Sequence, residues 1–121
     1  MADAKEPTAG HPIEQQAREQ TGERQVSLRI DERTMRTDYA NAFRTNGTAE
    51  EVMLDFGLNL INPPAQQGGN PEIIFQVSER VIMNYLSAKR LAITLSQLIR
   101  RHEEQFGELE LDVSKRTKKG K

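Results

Sequence analysis

Thr37-Asp-Tyr-Ala-Asn-Ala-Phe-Arg-Thr45, then Asn46-Gly47, then Glu50-Glu-Val-Met-Leu-Asp-Phe-Gly-Leu-Asn-Leu-Ile61 is the stretch whose reading decides the fold. In its second run Val52, Leu54, Phe56, Leu58 and Leu60 alternate with Met53, Asp55, Gly57, Asn59 and Ile61. That period of two marks a strand with one apolar face. The first run sets Tyr39, Asn41 and Phe43 against Ala40, Ala42 and Arg44. Asn46-Gly47 between them is a strong hairpin signal, because both residues tolerate positive φ. A two-residue loop pairs Tyr39 with Leu54; a four-residue loop pairs Phe43 with Val52 and Tyr39 with Phe56. Either loop lays the aromatic side of one strand on the aliphatic side of the next. Asn46-Gly47-Thr48 also fits a glycosylation acceptor, but without a secretory signal the turn is the preferred reading.

On the N-terminal side, Gln25–Glu32 alternates Val26, Leu28 and Ile30 with Ser27, Arg29 and Asp31, which predicts a first strand. On the C-terminal side, Asn62–Pro71 is a breaker segment with Pro63-Pro64, Gly68-Gly69 and Pro71. Glu72–Met83 then alternates again, with Ile73, Phe75, Val77, Val81 and Met83 on one face. Pairing Ile61 with Glu72 sets Leu58 opposite Phe75 and Phe56 opposite Val77. Glu79 falls on that apolar face, at a water-reaching edge or at a bulge around Ser78-Glu79-Arg80. Asn84 fits an N-cap. From there to Phe106 the residues Ala88, Leu91, Ala92, Leu95, Leu98, Ile99 and Phe106 repeat at three and four, predicting a helix of about 22 residues and roughly 33 Å. Gly107 is placed to stop it. Glu108–Val113 resumes alternation as a short fifth strand or an extended arm.

The pattern predicts an α+β fold: a four-stranded antiparallel meander with one long C-terminal helix packed on one face. The helix stripe is expected to dock on Leu28, Tyr39, Phe43, Leu54, Phe56, Leu58, Phe75 and Val77, with Leu95 as a core residue. Residues 25–113 form the single domain, residues 1–24 a disordered tail and residues 114–121 a basic disordered tail. The N-terminal stretch is rich in Glu, Gln, Ala, Pro and Gly, with Ile13 its one large aliphatic residue.

Composition narrows the function. Within 121 residues there is no cysteine, which excludes disulfides, thiolate metal sites and thiol redox chemistry. Asp3, Lys5 and Glu6 occupy the place of a signal peptide's basic and apolar regions, and no run approaches the roughly 20 apolar residues of a membrane span. A cytoplasmic protein with no membrane partner is the expectation. The net charge of -1 is unevenly spread. Lys115, Arg116, Lys118, Lys119 and Lys121 form a basic end, whereas the folded part is acidic and unlike a polyanion-binding core. Nucleic-acid contact is therefore confined to that tail, and a solubilising terminus is its simpler reading.

Catalytic constellations are missing. His11 falls in the tail, and His102 lies on the helix stripe with no second ligand at i and i+4. Asp55 has no acid beside it to make an acid/base pair, and the glycines build no phosphate loop. Catalytic, cofactor and metal sites are accordingly all read as none. What remains is a second sheet face carrying Ala40, Ala42, Met53, Ile61, Ile74 and Ile82 among Arg44, Asp55, Asn59, Gln76 and Arg80. One helix covers one face, so these aliphatic residues form the candidate interface for self-association, with Leu109–Val113 a candidate for strand addition.

Tyr39-Ala-Asn-Ala-Phe-Arg44, Glu50-Glu-Val-Met-Leu-Asp-Phe-Gly57, Arg80-Val-Ile-Met83, Ala88-Lys-Arg-Leu91 and Glu104-Gln-Phe-Gly-Glu108 together resemble the bacterial and archaeal domain-of-unknown-function family 3467. The resemblance covers about residues 28–109. The family's helix commonly opens with Ser-Pro and carries an aromatic residue before the closing glutamates; Asn84-Tyr85 and His102 stand there instead. The resemblance implies a fold and supplies no catalytic residues. The element order is also similar to SecB-type export chaperones, at the level of topology alone. The expected function is a non-enzymatic homo-oligomeric interaction module, dimer or higher. A SecB-like holder of unfolded polypeptides, or nucleic-acid contact through the basic tail, are the alternatives.

Overall fold

In the computed structural model, residues 12–22 and 26–117 are described. They form helix α1 (Pro12–Thr21), strands β1 (Ala42–Gly47), β2 (Glu51–Asn62) and β3 (Glu72–Asn84), helix α2 (Tyr85–Phe106) and the short helix α3 (Val113–Thr117). The strands make one antiparallel sheet in the order β1-β2-β3. The α+β class and the meander order are as the sequence predicts, but among the described residues the sheet has three strands and the expected fourth is not shown. Val26–Asp31 joins no ladder despite its alternation. Within α2 the chain divides into two compact units between Ala88 and Lys89.

The hairpin turn lies beyond Asn46-Gly47. Gly47 does not have a positive φ; it pairs with Val52 as the last residue of β1, and Phe43 pairs with Phe56. The turn is Thr48–Glu51. Its closing bond runs from the Thr48 N–H to the Glu51 carbonyl at 2.9 Å. The Thr48 hydroxyl oxygen accepts from the amides of Glu50 and Glu51 at 3.2 and 3.1 Å, a local side-chain turn that outcompetes Asn-Gly. Tyr85 adds to this end by donating its hydroxyl to the Thr48 carbonyl at 2.9 Å. Because the turn centre moves by a whole number of residues that preserves parity, the aromatic and aliphatic sides still meet.

Parity is broken elsewhere. β2 and β3 shift register between Phe56 and Gly57: Phe56 pairs with Glu79 but Gly57 pairs with Val77, leaving Ser78 extra. This is a β-bulge, and it flips every side chain of β3 before it to the other face. Ile73, Phe75 and Val77 therefore share a face with Asp55, Gly57 and Ile61, and not with Leu54, Phe56 and Leu58. The expected pairs Leu58–Phe75 and Phe56–Val77 are replaced by Leu58–Gln76 and Asn59–Phe75. Glycine is required at position 57 because a Cβ there would strike the Gln76 carbonyl oxygen and the Val77 backbone.

The ends of α2 follow the sequence closely. Asn84 accepts the Ser87 amide at 2.8 Å as N-cap. Gly107, with φ of 99°, closes the helix through its N–H to the Glu103 carbonyl at 2.8 Å. The apolar stripe between them is open. α2 has no buried residue, and Leu95 and Leu98 are 46% and 53% exposed. The sheet residues expected to receive the stripe include Tyr39 and Phe43, both exposed. Among the described residues no hydrophobic side chain is buried.

The chain termini also differ from expectation. Residues 12–21 of the tail read as unstructured form α1, helped by Ala, Gln, Glu and Arg and by a Glu14–Arg18 pair at 3.8 Å. Residues 1–11 and 23–25 lie outside the described residues. Glu108–Asp112 is an arm without a strand, and Val113–Thr117 is helical, with residues 118–121 outside the description.

The bulge yields a direct test. Gly57→Ala should cost about 1–3 kcal/mol or shift the register, read by chemical denaturation and by amide exchange of β3. Unchanged stability and exchange would show that the backbones do not approach as closely as described.

Candidate functional site

Asp55 sits at the middle of the central strand, opposite Arg44 on β1 and Arg80 on β3. The Arg44 Nε donates to its Oδ2 at 2.8 Å. The Arg80 Nε donates to Oδ1 at 2.7 Å and its Nη2 to Oδ2 at 3.0 Å. The carboxylate is only 2% exposed while both arginine side chains are more than half exposed. The guanidinium groups thus roof the acid and turn their outer edges to solvent. Arg44 also lies 5.9 Å from the centroid of the Phe75 ring, a cation–π distance available only because the bulge brings Phe75 to this face.

Charge-assisted bonds from Arg80 first, then Arg44, hold the Asp55 carboxyl well below the usual carboxylate range against the opposing cost of burial. Asp55 in turn raises Arg80. An acid held ionised in this way is an acceptor and a structural anchor; it cannot donate a proton at neutral pH. The alternation places all three residues on one face, but only as scattered polar positions. Their direct registry depends on which turn closes the hairpin.

The opposite face carries a cleft of about 650 Å³ bounded by Thr34, Arg36, Thr37, Asp38, Ala40, Phe56, Ser78, Glu79 and Val81. Glu79 stands on this face, as expected, and at the bulge; its carboxylate meets Arg36 at 3.1 Å. The Ser78 hydroxyl donates to the Phe56 carbonyl at 3.3 Å rather than to a base. The Asp38 carboxylate accepts its neighbour's amide, Tyr39 N–H, at 2.9 Å. Nucleophile and base are not assembled here. In the other unit His102 lies against Phe106 with ring centroids 4.9 Å apart, and His11 falls outside the described residues. Among the described residues no three His, Asp or Glu side chains converge as metal ligands, and no helix is long and apolar enough to cross a membrane.

The candidate interface residues do not share one face. Ala42, Met53, Ile61 and Ile82 lie with Asp55. The bulge sends Ile74 to the other side, opposite Leu60, and Ala40 precedes β1 and lines the cleft. Ile73, Phe75 and Val77 take their place on the Asp55 face. A model of a protein family of unknown function, DUF3467, matches residues 1–111. The chain belongs to the DUF3467 family. Membership assigns no activity, and it confirms the resemblance carried by the short blocks between residues 28 and 109. Comparisons with curated proteins and with solved structures gave no match, so the likeness to SecB-type chaperones stays one of element order alone.

The arginine-clamped acid fixes a pH dependence. Its folded pKa is depressed, so its contribution is complete above the ordinary aspartate value of about 3.9. It declines as pH falls below that value and is gone only below the folded pKa. Replacing Asp55 with Asn should therefore destabilise the protein at pH 7 and flatten the acid limb of a stability profile. An Asp55→Asn profile parallel to that of the native chain down to pH 2 would refute the clamp.

Proposed function

We propose that this DUF3467 protein is a non-enzymatic, homo-oligomeric interaction module whose apolar surfaces are completed by other copies of the chain. The observation that supports this is the open core: among the described residues no hydrophobic side chain is buried, yet both sheet faces and the α2 stripe are rich in aliphatic residues. Apolar burial is the main favourable term of folding, at about 25 cal/mol per Å², and a domain this small has little margin. A three-stranded sheet has two faces to cover. Chains of this kind commonly have no stable folded monomer, so that assembly and folding are one equilibrium.

Sedimentation at micromolar concentration should give a dimer or a larger species, with a thermal midpoint that rises with protein concentration. Ile82→Asp and Ile74→Asp probe the two sheet faces separately. At least one should weaken association about tenfold or more, equivalent to about 1.4 kcal/mol. A well-folded monomer with a concentration-independent midpoint would end the proposal.

A further inference from the structure

Among the described residues, the sheet has a long open edge and the chain contains a strand-like segment that pairs with no strand. β3 is 13 residues long and, among the described residues, hydrogen-bonds to β2 along one side only. Its first half, Glu72–Val77, carries no proline or lysine, and Ile73 is 66% exposed. Natural sheets rarely leave such an edge uncovered. Val26–Asp31 has the period of two of a strand. Among the described residues, none of its backbone N–H or C=O groups bonds to another backbone group, and Leu28 and Ile30 are 36% and 57% exposed.

We propose that Val26–Asp31 of a second copy adds to the outer edge of β3 at Glu72–Val77. This rests on the homo-oligomer reading and names the contact that would build it. Two observations converge. The bulge at Ser78 aligns Ile73, Phe75 and Val77 on one face, and an added strand would extend that row with Val26, Leu28 and Ile30. The segment's own β3 is disfavoured as its partner because a turn intervenes: the Met35 N–H bonds the Glu32 carbonyl at 3.1 Å. Immediately after that turn, Arg36 is tied to Glu79 on the cleft side of the sheet. A second copy is not held by that tether.

The other extended segment, Glu108–Asp112, fits less well. Its Leu109 and Asp112 amides are already taken by the Glu103 and Glu110 carboxylates at 3.0 Å each. It also carries Glu108, Glu110 and Asp112, and would bring acids to an edge that begins with Glu72. Val26–Asp31 offers free amides and carries one acid and one base. Backbone bonds supply the affinity in strand addition and alternate side chains the specificity.

The absence of native cysteine permits a clean crosslinking test on the full chain. Phe75→Cys protein is mixed with Val26→Cys, Leu28→Cys or Ile30→Cys protein and oxidised. At least one mixture should give a disulfide-linked heterodimer in high yield, whichever direction the strands run. In a second arm, Leu28→Pro removes an amide and should weaken association about tenfold or more. A peptide of residues 25–32 should protect the β3 amides of that variant from exchange. If the native chain is oligomeric but none of the three mixtures crosslinks and Leu28→Pro associates normally, the strand addition is wrong while the oligomer reading stands. If a chain carrying both Phe75→Cys and Leu28→Cys, oxidised at high dilution, crosslinks within itself while the mixtures give no heterodimer, the segment pairs with its own β3 and the proposal is overturned. A monomeric native chain overturns both.

Discussion

β2 is the strand on which the sheet depends, because it is paired on both sides and its register sets the face of every neighbouring side chain. A slip of one residue on either side would exchange the two faces of a strand. Two devices hold it. The Arg44–Asp55–Arg80 row spans all three strands at one level and is satisfied only when the three positions are opposite one another. The bulge at Ser78, with Gly57 beneath the Gln76 carbonyl, fixes the register on the far side. Charge-assisted bonds to a nearly buried acid are stronger than neutral ones, and leaving that acid unpaired would be costly. Register is thus specified by polar chemistry inside a face that is otherwise largely apolar.

The sequence was most legible where a single residue type carries an unambiguous backbone meaning. Asn84 and Gly107 bound α2 as their chemistry requires, and the strands β2 and β3 begin and end within a residue or two of their alternating runs. It was misleading where two local signals compete. Asn46-Gly47 was the stronger turn motif, but the Thr48 hydroxyl accepts from two amides and Tyr85 occupies the space beside Gly47. Neither interaction can be weighed without the tertiary arrangement. Ser78 illustrates a different limit. A bulge around Ser78-Glu79-Arg80 could be anticipated from Glu79 on an apolar face, but not its consequence for residues 72–77. The Asp55 row was invisible for the same reason: three residues become a site only when two registers are known.

On the oligomer proposal, the missing fourth strand and the exposed helix stripe have a common origin. Val26–Asp31 and the α2 stripe have patterns that require a partner surface, and alternation or a three-four repeat announces that a face will be covered without saying by what. A reading that assumes one self-sufficient domain must assign every apolar face to another element of the same chain. Apolar side chains are exposed at several places in regular or alternating segments: at Leu28, at Ile73, at Phe43 and at Leu95. The oligomer proposal, in which these surfaces close between chains, would account for them with one premise.

That premise gives the Asp55 row a further consequence. A face of Met53, Ile61, Phe75, Val77 and Ile82 alone would bind any apolar surface, since hydrophobic burial is non-directional. The outer edges of Arg44 and Arg80 stand among these residues and still have N–H donors to satisfy. A partner that covers the face without supplying acceptors would strand those donors away from water, at a cost comparable to the benefit of burying the aliphatic side chains around them. On the oligomer reading, the apolar residues supply the affinity and the two arginines restrict it to surfaces offering oxygen acceptors at the right places. Specificity would then be set by the same three residues that set the register.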